Sequence, residues 1–188
     1  MTKYTIWNGT IPSGTTQTAT GARTDGVLFT VSQTCQLSGI AFYVPTGEVM
    51  LTGSSYTGLL WSTTTGITGT QLGSQTGTGT WVAGAWNWIT LSSPITLSTG
   101  TTYVAGISSP DQIQFVHNYW GAGDPGAGGR TSGPITVPDD TTAPNNNQQG
   151  NASGIGTFPA SSTGSWYGVD IQVSVAATSS GLLLASLI

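Results

Sequence analysis

The chain predicts an all-β fold, an antiparallel two-sheet β-sandwich of jelly-roll-like order. Three observations carry that expectation. Short apolar runs recur at strand length, and several alternate with polar residues. The runs are cut apart by 28 glycines and 9 prolines among 188 residues, with Thr and Ser throughout. No window of helical length shows apolar residues at the helical period. Seven or more short strands with turn residues between them build two sheets whose apolar faces close on one core.

The strands follow in order. In residues 27–31, Val27, Phe29 and Val31 alternate with Leu28 and Thr30; in 40–44, Ile40, Phe42 and Val44 alternate with Ala41 and Tyr43. Further strands are expected at 58–62 (GLLWS), 86–91 (WNWITL), 101–107 (TTYVAGI), 113–119 (IQFVHNY) and 169–175 (VDIQVSV). The last has the cleanest pattern, with Val169, Ile171, Val173 and Val175 on a dry face and Asp170, Gln172 and Ser174 on a wet one. Residues 121–164, rich in Gly, Pro, Asn and Gln, read as a long excursion, and loops of that length are functional, mobile or simply solvated. The expected organisation is an extended N-terminal arm over 1–22, the sandwich over 23–176 and a C-terminal tail over 177–188.

Composition narrows the function classes. Charged residues make up 5% of the chain, against about 25% in an ordinary domain. Three Lys and Arg cannot neutralise the several phosphates on which nucleic-acid affinity rests, so no nucleic-acid partner is expected. The longest apolar stretch is far below the roughly 20 residues that span a bilayer, so no membrane insertion is expected. The first ten residues carry one Lys and no apolar run of the length a secretory leader needs, and export by that route is not expected. The sequons at Asn8 and Asn151 mean little without export.

The titratable inventory is small. One cysteine and one histidine, Cys35 and His117, exclude an intrachain disulfide and the usual Cys/His zinc sites. Asp139 and Asp140 are adjacent and point apart on an extended chain. No hydrolase elbow, phosphate loop, zinc-protease motif or calcium loop is present. His117, inside an apolar strand with no carboxylate near in sequence, fits a hydrogen-bonded structural residue better than a general base. Cys35 fits a small buried residue, since a reactive thiol needs a cation nearby. No catalytic residue, metal or cofactor is expected.

The tryptophans carry more information. Trp86 and Trp88 have the parity opposite to Ile89 and Leu91, so if the aliphatic side chains face the core, the indoles line the outer face. Outward aromatics stack on sugar rings or fill a partner's pockets, and Trp81 and Trp120 could extend that surface. The alternative is that they pack under loops or seal one end of the sandwich. At the C-terminus Leu182, Leu183, Leu184, Leu187 and Ile188 follow a small-residue linker. They should dock on their own domain or act as assembly contacts on another subunit.

The ordered series of residues 26–31, 39–43, 58–62, 86–91 with Pro94 and Ile95, 100–105, Phe158-Pro159 and 166–170 resembles a domain family of unknown function. Such sandwich domains repeat in secreted bacterial surface and carbohydrate-active proteins, and similar ones occur in bacteriophage virion proteins. The likeness covers about residues 25–175. Its motifs are packing and turn residues, so it transfers the fold and no catalytic or binding residue. It implies a non-enzymatic virion structural protein, in the first place a capsid decoration protein on the outer head surface. Its partners would then be the phage capsid shell and copies of itself. The alternative is a minor tail or fibre-associated carbohydrate-binding module with host or environmental glycans as partners. Either would be made in the host cytoplasm and released by lysis.

Overall fold

The computed structural model describes residues 1–11, 16–19, 21–44, 46, 55–110, 113–116, 127–138, 149–162 and 168–177. In chain order the strands are β1 (Thr2–Thr5), β2 (Thr16–Ala19), β3 (Arg23–Val31), β4 (Cys35–Val44), β5 (Ser55–Thr63), β6 (Thr70–Thr78) and β7 (Ala85–Leu97). They continue as β8 (Thr102–Ser109), β9 (Ile113–Val116), β10 (Arg130–Ser132), β11 (Ile135–Val137), β12 (Gln149–Ser153), β13 (Ser161–Ser162) and β14 (Val169–Val175). No helix is found among the described residues.

Eight of these make the sandwich. One sheet has the order β1-β14-β4-β7 and the other contains β3-β8-β5-β6 as neighbours. Among the eight, the first pairs with the last (β1 with β14), the second with the seventh (β3 with β8), the third with the sixth (β4 with β7) and the fourth with the fifth (β5 with β6), all antiparallel. That is one long hairpin folded over on itself, the jelly-roll order expected from the sequence. Two further pairings, β14 with β4 and β5 with β8, zip the folded hairpin into sheets.

Period-two patterning decides which side chains meet in the middle. Val27, Phe29 and Val31 of β3, Ile40 and Phe42 of β4, Tyr56 and Leu60 of β5, Ile89 of β7, Ile107 of β8 and Val169, Ile171 and Val173 of β14 form one buried cluster. Phe42 stacks on Tyr56 with ring centroids 4.3 Å apart. Where β6 faces β7, glycines replace side chains on the inner face: a Cβ at Gly73 would strike Ile95, and one at Gly77 would press on Ile89 and Trp81. The two sheets therefore converge along this side.

A second apolar cluster lies on the opposite face of the larger sheet. Leu28, Leu59, Trp61 and Val104 are buried there beneath Phe158, whose ring meets Trp61 edge-on at 5.6 Å. Gly26 and Gly106 are paired across β3 and β8. Bare of Cβ, they make room for Pro159 and for the Trp61 ring.

Two expectations about organisation need correction. The N-terminal arm is built into the sandwich: β1 is an edge strand of the four-stranded sheet, Ile6 and Trp7 are buried, and β2 pairs with β9. The excursion over 121–164 holds strands of its own. β11 and β12 both pair with the edge of β3 that β8 leaves free, β11 at Thr30 and Val31 and β12 from Arg23 to Val27. β10 and β13 add to them, giving an eight-stranded sheet. These strands are two to five residues long, too short for a periodic pattern to stand out. The C-terminal residues 178–188 lie outside the described residues.

Candidate functional site: the outer face of the four-stranded sheet

The outer face of the four-stranded sheet is built from residues of alternate parity on β14, β4 and β7. Ala41 is paired with both Asp170 and Trp88, and Gly39 with both Gln172 and Thr90. Trp88 is 39% exposed while Ile89 and Leu91 are buried, so the expected strand parity holds. Beneath the indole is Gly39: its absent Cβ would sit 3.4 Å from the Trp88 ring atom Cε3 and 3.8 Å from Cζ3. The benzo ring thus rests on bare backbone, which braces it from below and leaves aromatic surface open to solvent. Around it are neutral polar groups. Gln172 Nε2 donates to Ser38 Oγ at 2.9 Å, and Gln36 Nε2 donates to Thr96 Oγ1 at 2.9 Å. Ser38 is an extra residue of β4 against β14, a bulge that bends the strand at this point.

The other half of the face is covered. Trp86 is half-buried, edge-on to Tyr43 at 5.7 Å, and its indole N–H donates to the Thr10 carbonyl at 3.2 Å. Thr10 belongs to a turn in which Asn8 and Gly9 both have positive φ, 49° and 75°, and the Thr10 N–H donates to the Trp7 carbonyl at 2.8 Å. Asn-Gly with two positive φ values is the type I′ signature. Residues 6–10 therefore run from β14, where Trp7 is bonded to Val169, to Trp86 on β7.

Asp170 fastens this strap. Its Oδ1 accepts the Ile6 N–H at 2.8 Å and the Ile171 N–H at 2.7 Å. By taking the Ile6 N–H, the carboxylate ends the β1 ladder, whose last register is Thr5 with Gln172. Trp7 donates its indole N–H to the Val169 carbonyl at 2.9 Å. Arg130, from β10 on the other sheet, places its guanidinium 4.9 Å above the Trp7 ring and donates Nε–H to the Ile6 carbonyl at 2.6 Å. Asp170 is fully buried, and its Oδ2 makes no hydrogen bond of good geometry among the described residues. Burial lifts its carboxyl to about 7, against the pull of the Ile171, Ile6 and Trp7 amides and the Thr5 hydroxyl. The wet face expected for β14 is therefore largely a covered one, since Asp170 and Ser174 are both buried.

A second buried carboxylate, Asp25 on β3, is held by a two-point ion pair in which Arg23 Nε and Nη2 donate at 2.7 and 2.6 Å. Burial raises its carboxyl to about 6 although the Arg23 hydrogen bond and charge pull it down. Cys35 is buried as expected, and burial pushes its thiol up, away from reactivity. Among the described residues no three His, Cys, Asp or Glu side chains stand close enough to hold a metal ion.

Of the four tryptophans singled out from the sequence, the structure brings Trp86 and Trp88 to the outer face and sends Trp81 elsewhere. Trp81 is edge-on to Phe42 at 5.0 Å and to Tyr56 at 5.4 Å. It seals the end of the core and does not extend the platform, because the chain turns at residues 83–84 and returns Trp81 beneath the sheet that carries Trp88. Trp120, His117, Leu182, Leu183, Leu184, Leu187 and Ile188 lie outside the described residues. Sequence reasoning missed Asp170 and Gly39, each of which acts through a neighbour distant in the chain. The one local signal was Asn-Gly at 8–9, a hairpin turn dipeptide.

A model of a family described as a domain of unknown function (DUF4082) matches residues 9–169. No curated protein matches the chain.

Proposed function

We propose that this chain, which belongs to the family of domains of unknown function DUF4082, is a non-enzymatic structural protein of a bacteriophage virion. Its place would be the outer surface of the head, as a capsid decoration protein bound to the shell and to copies of itself. The observation that carries this reading is the open half of the four-stranded sheet, where Trp88 rests on Gly39 amid uncharged side chains. A braced, exposed aromatic without surrounding charge is the composition of an interface core. Sparse charge also limits repulsion between many copies packed side by side.

The test is copy number. Quantitative gel analysis of the particles of a phage encoding this chain should find it at hundreds of copies, and removal of residues 181–188 should lower that number. Absence from the particles overturns the reading.

The same indole favours a second reading, a carbohydrate-binding module on a tail or fibre, because an aromatic face bordered by Gln172, Thr90 and Ser38 suits a neutral sugar ring. Few copies per particle, together with retention on polysaccharide gels that Trp88→Ala abolishes, would select it.

A further inference from the structure

Charge is distributed unevenly along the chain. From Val49 to Pro110 there is not one Asp, Glu, Lys or Arg. That stretch holds β5, β6, β7 and β8, and it ends each sheet on one side with an edge strand: β6 for the larger sheet and β7 for the smaller. The charged residues whose positions are described, Lys3, Arg23, Asp25, Arg130 and Asp170, lie on β1, β3, β10 and β14. A globular domain ordinarily spreads charge over its whole surface, and among the described residues β6 and β7 carry none.

Edge strands invite pairing, and proteins blunt them by shortness, charge, proline or an arch. Three of the sandwich's edges show such devices. β1 has four residues and carries Lys3; β10 has three and carries Arg130. β7 arches out between Thr90, paired with Gly39, and Ile95, paired with Leu37, and the arch contains Pro94, which has no N–H to offer. β6 has no comparable protection. It is nine residues long, TQLGSQTGT, with neither charge nor proline. Its one irregularity falls at Leu72, and from Gly73 to Thr78 it pairs with β5 without a slip. Within that run the Thr76 carbonyl accepts a side-chain bond from Gln75 Nε2 at 3.2 Å, and Gln75 Oε1 accepts the Ser92 N–H of β7 at 3.2 Å. An open groove lies alongside, lined by Leu72, Ser74, Gln75, Leu91, Ser92 and Ile95.

We propose that β6 is a self-association edge: two copies of the chain join β6 to β6, antiparallel, and continue the eight-stranded sheet across a two-fold axis. Charge selects a second copy as the occupant. The chain carries a net charge of -4, so two identical molecules repel, least of all where both are neutral. In a two-fold pairing centred on Gln75, Ser74 faces Thr76 and Gly73 faces Gly77, so no like charges oppose one another. A charged partner would gain nothing from this edge. The proposal refines the multi-copy reading above by naming the contact between copies.

Sedimentation velocity on the full chain over a concentration series provides the test. The wild type should pass from monomer to dimer. Ser74→Lys combined with Thr76→Lys should weaken association about tenfold or more, since like charges directly opposite repel. Thr2→Lys, an exposed site on β1 at the far edge of the smaller sheet, should leave association unchanged. In the wild type itself, amide exchange over residues 73–78 should slow as concentration rises, a readout that holds even if the double variant misfolds. A wild type that stays monomeric, or one whose dimer leaves exchange over 73–78 unaltered, overturns the proposal. Particle incorporation, measured separately, distinguishes the two ideas: a chain that incorporates without dimerising retains the virion reading and loses this edge, and a chain that dimerises without incorporating does the reverse.

Discussion

Asp170 Oδ1 accepts the main-chain N–H of Ile6 at 2.8 Å across 164 positions of sequence. A carboxylate in that position joins the start of the chain to its last described strand, and it does so from full burial. The arrangement ties the stability of the N-terminal strap to pH.

Both described carboxylates have raised values, Asp170 to about 7 and Asp25 to about 6, from an unfolded value of 3.8. Between these limits the folded protein holds protons that the unfolded chain has released, so stability falls as pH rises. The contribution is complete below about pH 4 and is lost through pH 6 to 7. Calorimetry should therefore give a higher melting temperature at pH 5 than at pH 8. Asp170→Asn keeps an oxygen for the Ile6 and Ile171 amides and removes the titration. It should leave only the Asp25 part of the slope and regain on the order of 2 kcal/mol at pH 8. A melting temperature that rises from pH 5 to pH 8 would contradict this.

Trp88 and Trp81 should respond oppositely to truncation. Trp88→Ala removes an exposed ring and should change stability by less than about 1 kcal/mol. Trp81→Ala removes a ring packed on Phe42 and Tyr56 and should cost about 3 kcal/mol. Urea unfolding of the two variants compares them directly, and equal costs would mean that the strand parity is wrong by one residue.

Gly133 turns the β10 and β11 hairpin with φ of 54°, and a Cβ there would run into the Tyr4 ring. Gly133→Ala should cost about 2 kcal/mol or more, from the disfavoured backbone and the displaced ring together. Limited proteolysis should then cleave first near residues 127–138, whereas an unaltered pattern would show that the hairpin docks without this contact.

The sequence setting of His117 predicts a structural residue, so His117→Ala should alter stability by on the order of 1 kcal/mol without removing any binding function. A measurable turnover that disappears with His117 would refute the non-enzymatic proposal.

What the sequence determined by itself is what depends on near neighbours. Alternation at period two set the all-β class and located the β3, β4, β5, β7, β8 and β14 segments. It also placed Trp88 outside and Ile89 inside, because the pleat sends successive side chains to opposite faces whatever the partner strand. β6 stayed hidden, since an edge strand of Thr, Gln, Ser and Gly with little burial has no apolar period to read. Only the tertiary structure decided which face of β14 is wet. Asp170 has the parity of a solvated residue and is buried because Ile6 and Trp7, from the far end of the chain, lie over it. Gly39 becomes the seat of Trp88, and Phe158 the cover for Trp61, for the same reason: each partner arrives through strand pairing or loop docking between distant segments. Local spacing encodes which way a side chain points, and it leaves open which remote segment arrives to cover it.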